Sequence, residues 1–237
     1  MNISKGDFIE LDYTAKIVDE NIVFDTTEFD EAKKAGLFHD HANDEPNSHN
    51  HNHNHLHKDD LKPITICVGE KHVLPGLDSK LIGLDLGKHT IVLEEENAFG
   101  KKDTKLLKLM TRALFKQQNI RPYVGLVLDM DGSRGTVRSI SGGRVIVDFN
   151  HPLAGKKIEY SLNIKRKVTD HKDQLASILK MIKFPFSSVD VVGLNAKINT
   201  KIDLPKEVKL ALETDLKRLT TLNVELISEP KIKDDKK

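Results

Sequence analysis

Cysteine is almost missing from this chain. Cys67 is the one thiol among 237 residues, so no intrachain disulfide framework can staple the fold. It alternates with Ile66 and Val68 in an apolar strand pattern, which reads as a packed thiol rather than a nucleophile. A charge of one sign is missing too. Lysine plus arginine number 37 against 36 for aspartate plus glutamate, leaving no large net field to favour nucleic acid or an anionic membrane. Long apolar runs are absent: no stretch approaches the ~20 residues that span a bilayer. The opening Met1-Asn2-Ile3-Ser4-Lys5-Gly6-Asp7 lacks the apolar core of a signal peptide. A soluble, cytoplasmic protein follows as the expectation, with neither nucleic acid nor membrane as a partner. The length allows more than one domain.

What is present is period-two alternation. Ile9, Leu11, Tyr13, Ala15 and Ile17 alternate with Glu10, Asp12, Thr14 and Lys16, the pattern of a half-buried strand. Ile64, Ile66 and Val68 repeat it, as do Ile91 and Leu93, and much later Ile158, Tyr160, Leu162 and Ile164. One strand of this set arrives so late that an insertion is expected between about 101 and 151. Within it, Leu106, Leu107, Met110, Leu114 and Phe115 read as briefly helical. Segments 124–130 and 137–147 read as short strands broken by the hairpin signals Asp131-Gly132 and Gly142-Gly143. A small β-barrel is the expected unit. From about Thr169 the pattern changes to α-β-β-α-β. Leu175, Ile178, Leu179 and Ile182 mark a helix ending before Phe184-Pro185. Strands follow at 189–192 and 196–202. A second helix starts near Pro205 and carries Val208, Leu212, Leu216 and Leu219 on one face, and 222–227 makes a last strand. Such a unit has a thin core, which suggests pairing with a second copy.

The densest signal is Val68-Gly69-Glu70-Lys71-His72-Val73-Leu74-Pro75-Gly76-Leu77. A strand ends at a glycine, Val73 and Leu74 sit in a turn, and Leu77, Leu81 and Leu84 follow at helical spacing. This is either an ordinary strand–turn–helix core segment or the rim of a shallow apolar pocket. Together with Leu11-Asp12-Tyr13-Thr14, Val23-Phe24-Asp25-Thr26-Thr27 and Glu95-Glu96-Asn97-Ala98-Phe99-Gly100, it resembles the FKBP family of peptidyl-prolyl cis-trans isomerases. Val147-Asp148-Phe149-Asn150-His151-Pro152-Leu153-Ala154-Gly155 resembles the return from the inserted chaperone domain of SlyD-like members. The resemblance covers roughly the first 168 residues. The remainder is similar to the extra domain of long-chain members known from archaea.

The resemblance implies an α+β fold: a half-barrel antiparallel sheet wrapped on a short helix, an inserted small β-barrel and a C-terminal α/β domain. Residues 1–100 with 151–168 would form the isomerase domain, with a His-rich loop at about 38–58. Residues 101–150 would form the insert-in-flap chaperone domain and 169–230 a C-terminal, dimerising domain, ahead of a charged tail at 231–237. The family's site maps onto Tyr13, Phe24, Asp25, Ile64, Val73, Leu74, Leu77, Phe99 and Tyr160. Phe24, Leu77 and Tyr160 would hold the proline ring. Val73 and Leu74 would edge the pocket with their N–H groups open to substrate carbonyls. Asp25, the one acid of the set, would take the Tyr13 hydroxyl, since a buried carboxylate must be hydrogen-bonded or neutralised; the alternative is a strand-end residue capping Thr26 or Thr27. Phe99 and Tyr160 could equally be core aromatics. Leu77 replaces a common tryptophan, Ile64 an aromatic and Phe99 a tyrosine. The floor is shallower for it, which counts against the family's macrolide inhibitors more than against proline.

His39, His41, His49, His51, His53, His55 and His57 form a polar, low-complexity run that cannot bury a core. Imidazole strings suit Ni or Zn, though a solvated spacer would look the same, and the fold needs no cofactor. Three readings follow. One is a prolyl isomerase with chaperone binding, its partners unfolded or partly folded proline-containing polypeptides. The others are a metal-handling protein and a non-catalytic holdase.

Overall fold

In the computed structural model the described residues are 2–38, 56, 58, 61–130 and 132–228. The chain divides into two compact units, Met1–Val92 with Glu159–Lys237, and Leu93–Ile158. The architecture is mixed α+β, with mostly antiparallel sheets and few helices. No helix among the described residues is long and apolar enough to cross a membrane.

The first unit starts from β1 (Phe8–Ile17), whose alternating Ile9, Leu11, Ala15 and Ile17 are all buried. Two strands divide one side of β1. β2 (Ile22–Thr26) pairs antiparallel with its second half, and β3 (Ile64–Cys67) pairs antiparallel with its first half. The late strand β9 (Ile158–Lys167) lies between β1 and β4 (Gly87–Leu93), so the sheet runs β2-β1-β9-β4 with β3 also on β1. Its Ile158, Tyr160, Leu162 and Ile164 are buried, as period two requires. A six-residue helix α1 (Phe29–Lys34) follows β2, and α2 (Pro75–Leu81) follows β3. Leu84, expected on the face of α2, falls outside it. Gly83, at φ +89°, ends the turn, and the Leu84 carbonyl instead accepts from the Ile3 N–H at 2.8 Å.

The C-terminal segment has the expected α-β-β-α-β order: α4 (His171–Met181), β10 (Ser188–Val192), β11 (Asn195–Thr200), α5 (Lys206–Thr220) and β12 (Asn223–Ser228). β11 and β12 are parallel, which obliges a crossover, and α5 supplies it. Asp170 caps α4 by accepting from the Asp173 N–H at 2.9 Å. The thin core of this segment is completed from within the chain. Leu175, Ile178, Leu179, Val189, Ile198, Leu216 and Leu226 form one buried cluster with Phe8 of β1 and Cys67 of β3. Phe8 and Cys67 are register partners, so their side chains share a face. An Arg218 guanidinium on α5 bonds Glu70 at 2.7 Å.

The second unit carries a four-stranded antiparallel sheet in the order β5-β8-β7-β6. β5 is Leu107–Thr111, β6 Val127–Met130, β7 Ser133–Ser141 and β8 Arg144–Asp148, with helix α3 at Arg112–Gln117. The helical reading of 106–115 is thus corrected: Leu107 and Met110 belong to a strand paired with β8, and helix begins only at Arg112. Phe115, Leu128, Val137, Val145 and Val147 form its core. Within this unit, Asn150 Nδ2 donates to the Asp103 carbonyl at 3.0 Å and the Asp103 N–H to Asn150 Oδ1 at 2.8 Å.

Candidate active site

The site is organised around the end of β1 and the hairpin partner β2. The Tyr13 N–H donates to Thr27 Oγ1 at 2.9 Å, the Thr27 N–H to the Tyr13 carbonyl at 2.9 Å, and Thr26 Oγ1 to that carbonyl at 3.0 Å. Thr27 Oγ1 also donates to the buried Asp12, whose other oxygen pairs with Lys165 at 2.7 Å. These threonines fix the Tyr13 backbone, and its hydroxyl then donates to Asp25 Oδ2 at 2.8 Å. Asp25 makes no described hydrogen bond to Thr26 or Thr27, so the capping alternative for its carboxylate is not what the structure holds. The Tyr13 and Tyr160 rings lie 6.1 Å apart and tilted by 54°. Burial, and next the Asp25 carboxylate, push the Tyr13 phenol well above the usual range, and the same causes push Tyr160 up to about 12. Both phenols therefore stay protonated, and Tyr13 stays a donor, at any physiological pH.

Leu77 is 3% exposed and Tyr160 7%, while Phe24, Ile64, Val73 and Leu74 are half-buried. The turn bearing Val73 and Leu74 is held by a residue that the strand and helix patterns do not single out. Asp78, buried in the first turn of α2, accepts from the Gly69 N–H at 2.8 Å and the Lys71 N–H at 2.9 Å. Its one sequence signal is an acid just after Pro75-Gly76. Gly69 and Lys71 both have positive φ, +87° and +58°, so this carboxylate secures a turn that would otherwise be costly for Lys71. His72 is fixed as well: its Nδ1 accepts from the Cys67 N–H at 3.0 Å, and burial lowers its pKa. The N–H groups of Val73 and Leu74 have no partner among the described residues.

Tyr13, Asp25 and Ile64 also line one end of a groove of about 700 Å³. Phe99 belongs to the second unit, where its ring stacks on His151 at 4.7 Å. His39, His41, His49, His51, His53, His55 and His57 lie outside the described residues. Of the residues expected at the site, the structure thus brings Tyr13, Asp25 and Tyr160 together, and Tyr13, Asp25 and Ile64 share one groove.

Residues 109–153 match the model of the FKBP26 IF domain. The chain is 23% identical over 164 residues to the short-type peptidyl-prolyl cis-trans isomerase of Methanocaldococcus jannaschii, covering 69% of this chain and 92% of that protein. It is 33% identical over 119 residues to the FKBP-type isomerase SlyD of Treponema pallidum, covering 47% of this chain and 65% of that protein. Over 109 residues it is 35% identical to the FKBP-type 16 kDa peptidyl-prolyl cis-trans isomerase of Escherichia coli, covering 44% of this chain and 72% of that one. With that identity over that share of a relative, and the strand, turn and carboxylate geometry described above, the chain belongs to the FKBP-type peptidyl-prolyl cis-trans isomerase family.

Proposed function

We propose that this chain accelerates cis–trans isomerisation of the peptide bond before proline in unfolded or partly folded polypeptides, while its inserted unit holds those chains. The barrier to rotation is roughly 18–20 kcal/mol, because amide resonance is lost, and uncatalysed exchange takes on the order of 10–100 s. No proton moves and no covalent bond forms. The twisted imide has less charge separation than the planar one, so an apolar hollow favours it, and catalysis is differential binding of that form. The observation that carries this reading is the Tyr13–Asp25 hydrogen bond at 2.8 Å beside the buried Tyr160, whose ring lies 6.1 Å from that of Tyr13. It gives an apolar seat with one fixed acceptor. Phe24, Ile64, Val73 and Leu74 complete the proposed lining in the first unit, and the open N–H groups of Val73 and Leu74 are suited to substrate carbonyls.

The division into an isomerase domain (1–100 with 151–168), an insert-in-flap barrel (101–150) and a C-terminal domain (169–230) is part of this reading, as is a cytoplasmic location. Exposed Leu107, Leu109, Tyr123, Val124, Val127 and Ile146 on the second unit support client binding there. Tethering a client brings its prolines to the pocket at an effective concentration of about mM. Exposed Val192, Leu194, Val208 and Leu210 support pairing of two copies through the C-terminal segment. The seven-histidine run adds a proposed Ni or Zn site that isomerisation does not need.

The test is refolding of a model protein limited by prolyl isomerisation, with catalytic amounts of this chain, of Asp25→Ala and of a form lacking 101–150. Strong acceleration, mostly lost on deletion and reduced in Asp25→Ala, is expected. No acceleration alongside tight binding of unfolded chains would refute catalysis and leave a holdase.

A further inference from the structure

The groove that begins at Tyr13 and Asp25 does not stop at the pocket. It runs along β3 past Pro63, Ile64 and Thr65, and its far wall is α4, which contributes Ala176, Ser177 and Lys180. α4 is held there firmly, since its Leu175, Ile178 and Leu179 share the buried cluster with Cys67 on β3.

The main chain of β3 gives this groove a definite character. β3 pairs with β1 alone among the described strands, so no described strand covers its other edge. Which residues face that edge follows from the hydrogen bonds. The Val68 N–H donates back to the Asp7 carbonyl at 2.9 Å, toward β1. The Cys67 N–H turns the other way, to His72 Nδ1 at 3.0 Å. Its register partner Phe8 likewise turns its carbonyl away from β3, accepting from the Val168 N–H at 2.7 Å. Alternation then points Ile64 and Ile66 at β1 and Thr65 outward. Of the outward positions, Pro63 has no N–H and Cys67 is already taken by the imidazole. Thr65 alone is left with both an N–H and a C=O facing the groove, and neither has a partner among the described residues. An open edge is normally blunted by such proline and side-chain devices. Here the blunting spares one residue, and that residue lies inside a cavity next to the proposed site.

We propose that this groove seats the extended flank of the proline-bearing client: residues beside the proline add a short strand to the Thr65 edge of β3, with α4 as the opposite wall. The proposal rests on the isomerase reading and refines it. Main-chain pairing to a sheet edge recognises any extended polypeptide regardless of side chains, which is what a catalyst acting on many unfolded chains requires. The C-terminal segment thereby becomes part of the substrate site.

The experiment compares two substrates with the same Xaa-Pro centre, a blocked tetrapeptide and a peptide extended by several residues on both sides. The readout is the ratio of kcat/KM, extended over short, in the full chain and in two variants. Thr65→Pro removes the outward N–H without touching the β1 ladder, and Ala176→Arg narrows the groove from α4. The expected result is that each variant lowers the ratio about tenfold, the worth of one or two net hydrogen bonds. In the unmodified chain, the Thr65 amide should exchange more slowly when the extended peptide is bound and not when the tetrapeptide is. An unchanged ratio with unchanged Thr65 exchange overturns the proposal. So does full protection of Thr65 in the free chain, which would put part of the chain itself on that edge. If the unmodified chain accelerates neither peptide, the isomerase reading fails instead, and Thr65 exchange with the extended peptide still decides the groove.

Discussion

The thiol of Cys67 reports directly on the core shared by the C-terminal segment and the first sheet. It is 1% exposed, its sulfur lies 3.7 Å from the Gly6 carbonyl, and burial pushes its pKa up to about 11. At about pH 8 an ordinary cysteine near pKa 8.5 is about one quarter thiolate, whereas a group at about 11 is about one part in a thousand. Ionisation alone should therefore slow direct labelling of the closed form by a disulfide reagent about 200-fold relative to the unfolded chain, and burial slows it further, leaving the open form as the route. Leu179→Ala is the perturbation. Leu179 is fully buried in the same cluster, and such a truncation costs about 2–5 kcal/mol. When reclosing is fast, labelling follows the population of the open form, so the variant should label at least about 30-fold faster. The assay is absorbance of the released thiol under native conditions, with urea unfolding in parallel. Labelling of the unmodified chain at the rate of an unfolded cysteine would refute the shared core. A destabilised Leu179→Ala that labels no faster would show that Cys67 opens by a route independent of α4.

Other predictions address the site and the second unit. Tyr13→Phe removes the donor to Asp25; with both groups half-buried, the loss should be about 1 kcal/mol by urea unfolding, with a fall in kcat/KM on a proline tetrapeptide. Asp78→Ala leaves the Gly69 and Lys71 N–H groups without an acceptor; it should cost about 2 kcal/mol and raise KM by loosening Val73 and Leu74, and unchanged KM would argue against a role for that turn. Gly135→Ala puts a methyl group within 2.7 Å of Phe149 and Val147, so thermal unfolding should show a loss of about 1–3 kcal/mol. The folded state holds the protons of Tyr13 and Tyr160 more tightly than the unfolded one. That stabilisation is complete below about pH 10 and is lost as pH rises toward and past 12, the value for Tyr160; ultraviolet titration should show alkaline unfolding accompanying ionisation, and two tyrosines ionising near pH 10 in a native fold would contradict it.

Reading the strands from the residues works wherever one face is buried. Ile9, Leu11 and Ala15, and again Ile158, Tyr160, Leu162 and Ile164, alternate because the pleat puts every second residue inside. The reading goes astray at 106–115, where Leu107, Met110 and Leu114 fit a helical spacing over too short a span to exclude a strand. Pairing of Met110 with Val145 decides it, and no local pattern carries that pairing. The Tyr13–Asp25 pair was legible only through resemblance, because the partners come from different strands. The roles of Thr26 and Thr27 in positioning Tyr13, and of Asp78 in the turn at Gly69 and Lys71, are not legible in the sequence, because hydrogen bonds to main-chain groups leave no periodic trace.

The sequence alone determined much of this protein: which alternating, half-buried segments become strands, that a late strand returns to the first sheet, and that one cysteine must be packed rather than paired. These follow from side-chain period and composition, which are local. Tertiary structure alone decided that Phe8 and Cys67 complete the core of a segment more than a hundred residues further on. It also decided that Asp78 holds the turn at Gly69 and Lys71, and that β3 pairs with β1 alone among the described strands while Cys67 packs with α4. Those outcomes depend on which faces meet and which amides are left over, and that is settled only when every element has found its neighbour.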